Sequence, residues 1–216
     1  MSVQYGSLRL GLKSLYSRVF AKADRERWSD LANFETSWNE RAQLMASLIP
    51  PRSRVLEFGA GRRQLAAMLD ASCVYLPSDL VSRGPDTFVC DLNVRPLPAL
   101  SPLRPDVAVF GGVLEYLADI PSLARWLAQQ VALCLVSYEC ATTAPGTMAR
   151  LRETSARYRN GWVNTYTEAE LEALFVKSGF ICQKKRTWST ESGDERIFVL
   201  HNRQPTVEEP TECLVI

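Results

Sequence analysis

The residues that could carry chemistry gather at the ends of short apolar runs. Val55-Leu56-Glu57-Phe58-Gly59-Ala60-Gly61 reads as a strand that opens through two glycines into a helix over Arg62–Leu69. Glycines at such a turn let backbone N–H groups and the positive helix end approach a ligand. The last glycine of a dinucleotide fingerprint is absent, since Gln64 stands in its place. A carboxylate at Glu57 sits awkwardly beside a pyrophosphate and well beside a cationic ligand end, an ammonium or a sulfonium. Further acids follow later runs: Asp79 stands 22 residues after Glu57, Asp91 follows Thr87–Cys90, Glu115 follows Asp106–Phe110, and Glu139 follows Ala132–Tyr138.

These positions need a scaffold, and the pattern supplies one. Arg54–Phe58, Cys73–Leu76, Thr87–Cys90, Asp106–Phe110 and Ala132–Tyr138 read as short strands covered on both faces. Helical stretches alternate with them at Arg62–Leu69, at an ill-defined crossover near residues 80–86, and at Pro121–Gln130 after Asp119. Alternation of this kind predicts an α/β fold with a doubly wound, mostly parallel sheet. The ending differs. Thr167-Glu168-Ala169-Glu170 is a capping box for a helix that stops at Gly179, and Phe180–Trp188 and Glu195–His201 are strands joined by a short polar turn. A turn that short predicts an antiparallel β-hairpin. Residues 1–50 read as an N-terminal helical cap with Trp28, Phe34 and Trp38 on an inward face, residues 51–203 as the main domain, and 204–216 as a flexible tail.

With glycines, acids and hairpin in this order, the chain resembles the class I S-adenosylmethionine-dependent methyltransferases, whose first motif is E/D-x-G-x-G. The likeness extends along residues 53–139 and more loosely to 201. It implies a Rossmann-like sheet of seven strands ending in the antiparallel hairpin, and S-adenosylmethionine as cofactor with S-adenosylhomocysteine as product. It also implies that Glu57, Gly59 and Gly61 form the cofactor turn. Asp79 would hold the ribose hydroxyls, Asp91 and Leu92 the adenine, and Gly111 would lie beside the methyl donor. Where the family often has another glycine this chain has Arg63, preceded by Arg62; these arginines either point to solvent or meet the ligand's carboxylate. Gly161-Trp162-Val163-Asn164 before the capped helix resembles small-molecule and sugar methyltransferases.

Methyl transfer to a hydroxyl or amine also requires loss of a proton, often to a placed base. The sole histidine, His201, would lie at the sheet edge opposite the cofactor if the last strand is antiparallel. Ligands of open α/β sheets sit beyond the carboxyl ends of the parallel strands, which brings Glu115, Tyr116, Tyr138 and Glu139 near the methyl group. Glu115, Tyr116 and Glu139 are therefore the catalytic candidates, with Glu115 or Glu139 as base. The insert at 140–164 carries Arg150, Arg152, Arg157 and Arg159, either a grip on an anionic acceptor or a solvated helix face. The predicted activity is O-methylation of a small molecule or a glycan hydroxyl; the alternative is a non-catalytic methyltransferase-like binding module.

Composition narrows the partners. With 25 Lys and Arg against 24 acids the net charge is +1, which lacks the footprint of a dedicated nucleic-acid binder. Phe110-Gly111-Gly112-Val113 replaces the Asn/Asp-Pro-Pro-aromatic run of DNA amino-methyltransferases, so no nucleic-acid partner is expected. Six cysteines without a CxxC pair or metal spacing suit a reducing compartment, and no metal is expected. No apolar run reaches membrane-spanning length, so a cytoplasmic protein is predicted, a homo-oligomer being left open. The basic segment 8–22 reads as a helix packed on its own domain, the alternatives being a surface-seeking amphipathic helix or a transit-like segment. Cys213-Leu214-Val215-Ile216 matches a prenylation box, but its neighbours Glu208, Glu209 and Glu212 are acidic, and the match reads as chance.

Overall fold

A computed structural model describes residues 24–34, 38–190 and 193–203. The basic segment 8–22, the tail from 204 and the terminal Cys213–Ile216 box lie outside the described residues. Seven strands form one sheet: β1 (Arg54–Phe58), β2 (Val74–Asp79), β3 (Phe88–Val89), β4 (Val107–Gly111), β5 (Leu133–Glu139), β6 (Phe180–Thr190) and β7 (Gly193–Asn202). Their order is β3-β2-β1-β4-β5-β7-β6. β1 to β5 pair in parallel, and β7 runs antiparallel between β5 and β6. Five α-helices accompany the sheet among the described residues: α1 (Arg25–Ser29), α2 (Trp38–Ala46), α3 (Ile120–Leu127), α4 (Met148–Arg159) and α5 (Glu168–Lys177). None is long and apolar enough to cross a membrane.

Successive side chains on a strand point to opposite faces, and both faces here are covered. Val55, Val107, Val109, Leu133 and Leu135 pack with Met45 of α2, Ile49 and Leu65. Leu56, Phe58, Ala108, Phe110, Cys134 and Val136 pack with Leu123 and Leu127 of α3 and with Leu171 and Phe175 of α5. This alternation is why the strands read as unbroken apolar runs. The helices on the second face are well started. Asp119 accepts from Ser122 N at 3.0 Å to open α3. Thr167 and Glu170 exchange bonds in the capping box of α5, and Gly179 at φ 109° ends it.

Three predicted elements need correction. The helix expected over Arg62–Leu69 is one 3-10 turn, Leu65–Ala67, because Gly61 and Arg63 at φ 48° and 58° bend the chain out of helical register. The strand expected at Thr87–Cys90 shrinks to Phe88–Val89, an edge strand whose only partners among the described residues are Ser78 and Asp79 of β2. No helix forms near residues 80–86, where Arg63 instead pairs with Asp86 at 2.7 Å. His201 faces Leu133 at the start of β5, the opposite end of the sheet from the strand carboxyl ends. Removing the ring of Phe198, 1% exposed in the second face's core, should lower unfolding free energy by about 3–5 kcal/mol. Urea titration of Phe198→Ala should therefore show a lower midpoint with an unchanged slope.

Candidate active site

A cavity of about 570 Å³ opens at the carboxyl ends of the parallel strands. Its lining takes in every predicted site residue except Gly61, which bonds to one of them. The glycine turn shapes the floor. Gly59 and Gly61 hold φ of 68° and 48°, a region L side chains rarely adopt. A β-carbon on Gly59 would come within 2.6 Å of Val113 Cγ2, and one on Gly61 would run into the Phe34 ring. The freed backbone is used at once: Gly61 N–H donates to Asp79 Oδ2 at 2.9 Å, and Ala60 N–H to the Ser78 carbonyl at 2.9 Å. Asp79 thus stands at the end of β2, 4% exposed, with Arg83 Nε 3.4 Å from the same oxygen.

Glu57, at the end of β1, lines the cavity and accepts a hydrogen bond from Tyr75 OH. Burial pushes its carboxyl up to about 8, against the opposing pull of that bond and of the Arg41 charge. Asp91 caps its own turn by accepting from Asn93 N at 3.0 Å, and Leu92 is buried beside it. Gly111 ends β4, and the chain then turns through Val113 into the 3-10 turn Leu114–Tyr116.

Glu115 is 3% exposed. Its Oε1 accepts from Glu139 N at 3.0 Å, while Oε2 has no partner among the described residues. Burial lifts this carboxyl to about 7; the Glu195 charge adds to the shift and the Glu139 N–H opposes it. Tyr116 OH accepts from Trp162 Nε1 at 3.1 Å, and burial pushes the phenol up to about 12. Burial also raises the Glu139 carboxyl.

The N-terminal helices roof the cavity. Arg83 donates to the carbonyls of Trp28 and Ser29, Arg62 to that of Leu31 at 2.8 Å, and Arg27 to that of Asn160 at 3.0 Å. Trp28 meets Phe34 and Tyr116 edge to face, at 5.5 and 4.9 Å between centroids, so the predicted inward aromatics both pack together and line the site. Arg62 lines the cavity, whereas Arg63 turns away to Asp86. The insert arginines divide. Arg150 is buried on Glu170 and two carbonyls, Arg157 is buried on Tyr138 OH and the Asn164 carbonyl, and Arg159 reaches the cavity. Tyr138, expected near the methyl group, belongs to the other face, where its hydroxyl donates to Asn164 Oδ1 at 2.6 Å. Arg27, Arg41 and Glu195 also line the site and have no motif to announce them, although Trp38 and Arg41 stand one helical turn apart.

The raised Glu115 carboxyl has a consequence for stability. Between its ordinary value of 4.5 and about 7, the native protein keeps a proton that the unfolded chain releases. Its contribution is therefore complete below 4.5 and lost as pH rises through about 7, up to about 3 kcal/mol. Urea unfolding at about pH 5 and about pH 8 should show a larger loss for the native chain than for Glu115→Gln.

A family model described as a methyltransferase domain matches residues 20–185. No curated protein matches the sequence. Among solved structures, the 1,6-didemethyltoxoflavin-N1-methyltransferase of Burkholderia thailandensis is 18% identical, with a TM-score of 0.58 over 90% of this chain and 88% of that one. The magnesium protoporphyrin IX methyltransferase of Synechocystis PCC 6803 is 14% identical, with a TM-score of 0.58 over 88% of this chain and 96% of that one. A mitomycin 7-O-methyltransferase is also 14% identical, with a TM-score of 0.59 over 94% and 69% respectively. The chain belongs to the methyltransferase-domain family, on the class I fold of the S-adenosylmethionine-dependent methyltransferases.

Proposed function

We propose that this chain moves a methyl group from S-adenosylmethionine to a hydroxyl of a small molecule or a glycan end, with Glu115 as the proton acceptor. The observation that carries this reading is the buried Glu115 carboxylate in the cavity wall, one oxygen held by a backbone N–H and the other without a partner among the described residues. An acid lifted to about 7 is matched to taking and releasing a proton near neutral pH. A hydroxyl must shed its proton as its oxygen is methylated, and Glu115 Oε2 is the group that takes it.

The residues present fit the donor. The turn at Gly59 and Gly61 admits no side chain, so backbone alone would face the ligand there. Asp79 would receive the ribose hydroxyls, Asp91 and Leu92 the adenine, and Glu57 the ammonium. When bound, S-adenosylmethionine supplies a methyl group already activated by its sulfonium. The chain's remaining work is positioning and the exclusion of water. Trp28, Phe34 and Tyr116 close the roof for the second task, and Trp162 fixes the Tyr116 hydroxyl. A cavity of about 570 Å³ that must hold donor and acceptor together favours a small acceptor or the terminus of a larger one.

Calorimetric titration with S-adenosylmethionine and S-adenosylhomocysteine should show binding that Asp79→Ala weakens about 10- to 100-fold. Absence of binding to the folded protein would overturn the donor assignment. On phenols and monosaccharides, read as S-adenosylhomocysteine release, Glu115→Gln should lower kcat about 100- to 10,000-fold without changing product affinity. The rate of the native chain should rise with pH through about 7, and the variant should lose that rise. Equal rates in both proteins would remove Glu115 from the chemistry.

A further inference from the structure

We propose that the acceptor carries an anionic group, a carboxylate or a phosphate, which Arg159 and Arg27 hold at the rim of the cavity while the acceptor hydroxyl meets Glu115. This deepens the hydroxyl-methylation reading above and rests on it. Both arginines line the cavity, Arg27 from α1 and Arg159 from the last position of α4. Most of their donors are open. Among the described residues, the side chain of Arg159 bonds only through Nε, to the Ser155 carbonyl at 3.4 Å. That of Arg27 bonds only through Nη1, to the Asn160 carbonyl at 3.0 Å. Both Nη groups of Arg159, and Nε and Nη2 of Arg27, are thereby left for a ligand.

The fold sets these arginines at a fixed place relative to Glu115. After α4 the chain turns back, with Gly161 N–H on the Tyr158 carbonyl at 3.0 Å and Trp162 N–H on the Arg157 carbonyl at 3.1 Å. The next residues are stitched to the 3-10 turn that carries Glu115. Val163 N–H donates to the Glu115 carbonyl at 2.8 Å, Asn164 Nδ2 to the Leu114 carbonyl at 2.6 Å, and Trp162 Nε1 to Tyr116 OH at 3.1 Å. Even on a straight path the Cα atoms of Arg159 and Val163 would be at most about 14 Å apart, and the turn shortens that span. Arg27 is held from the other side, its guanidinium 4.7 Å from the Trp28 ring centroid and 5.8 Å from that of Tyr116. Gly161, at φ 91°, makes room for it, since a β-carbon there would run into Arg27 Nη1.

The charge pattern orients the ligand. Glu57, Glu115, Glu139 and Glu195 line the cavity from the sheet, whereas Arg27 and Arg159 bring the opposite charge from the roof and the insert. An anion repelled by the first set and held by the second turns the hydroxyl of the same molecule toward Glu115. Of the other arginines on the lining, Arg41 pairs with Glu195 at 3.0 Å and Arg62 donates to the Leu31 carbonyl. Asp24, also on the lining, accepts from the Arg27 backbone N–H at 3.3 Å as the cap of α1. Within the insert, Arg150 and Arg157 are buried on protein partners and stay off the lining. A guanidinium offers two parallel N–H groups to a carboxylate or a phosphate. A purely structural role, a basic residue closing the last turn of α4, accounts for Nε of Arg159 and leaves its fork unexplained.

Calorimetry on the full chain loaded with S-adenosylhomocysteine compares three phenols, para-hydroxybenzamide, para-hydroxybenzoate and para-hydroxyphenyl phosphate, and two sugars, glucose and glucuronate. The acids should bind about 10-fold or more tightly than their neutral counterparts, and the tighter of the two phenolic acids names the anion that the rim is shaped for. Arg159→Gln, at an exposed position, should lower that margin about 10-fold, and Arg27→Gln likewise. Retained affinity for S-adenosylhomocysteine reports that each variant is folded. Arg159→Glu should turn the preference toward para-hydroxybenzylamine, an inversion that a merely structural arginine would not produce. A native chain that does not favour the acids, or a margin that survives both Gln variants, overturns the proposal. Binding of S-adenosylhomocysteine with no acid bound also overturns it and leaves the donor reading standing. If S-adenosylhomocysteine itself does not bind, the donor reading fails first and this inference with it.

Discussion

Everything at the cavity floor depends on a left-handed turn. Within five positions Gly59, Gly61 and Arg63 all hold positive φ, so the chain leaving β1 folds back across the end of β2. Gly61 N–H is thereby aimed at Asp79, and the two strand ends lock through that bond and through Ala60 N–H on Ser78. A single 3-10 turn, Leu65–Ala67, follows, and Leu65 lines the cavity. Arg63 holds its left-handed backbone with its side chain bonded twice to Asp86, both at 2.7 Å.

The second constraint is electrostatic. Two carboxyls, Glu57 and Glu115, are held where burial opposes their charge. Tyr75 OH donates to Glu57, and the Glu139 N–H to Glu115 Oε1, while Glu115 Oε2 has no partner among the described residues. A fully satisfied carboxylate would be more stable and also chemically inert. Burial of the two costs native stability near neutral pH, and Glu115 Oε2 is left as an atom able to exchange a proton.

How much of this was legible follows from the range of each interaction. Strand positions show in the sequence because burial on both faces imposes apolar residues at every position of Val107–Phe110 and Leu133–Val136. The capping box at Thr167 and the proline after Asp119 are local hydrogen-bond signals, and α5 and α3 begin where they stand. The helix expected after Gly61 fails because nothing in the residue type of Arg63 announces a left-handed φ. The edge strand β3 is short because it has a single partner among the described residues, a fact of topology rather than composition. Arg41 and Glu195 meet across 154 positions, and Arg157 lies buried under Tyr138, so no window of sequence holds either contact.

Arg83 joins the roof to the floor. Its guanidinium approaches Asp79 Oδ2 at 3.4 Å, donates to the carbonyls of Trp28 and Ser29, and packs on the Phe34 ring at 5.3 Å. The carboxylate at the end of β2 and the anchor of the N-terminal helices are thus one network. A ligand hydroxyl that takes the Asp79 oxygens competes with the weakest contact in it, the long Nε pair, while the carbonyl bonds that hold the roof are left intact. Loading the floor therefore need not release the roof, and a closed, water-poor cavity is compatible with an engaged Asp79. Acids fasten the same roof at two other points, Arg25 on Asp91 at 3.5 Å and Arg41 on Glu195 at 3.0 Å, so the N-terminal helices also set the charge balance of the cavity wall.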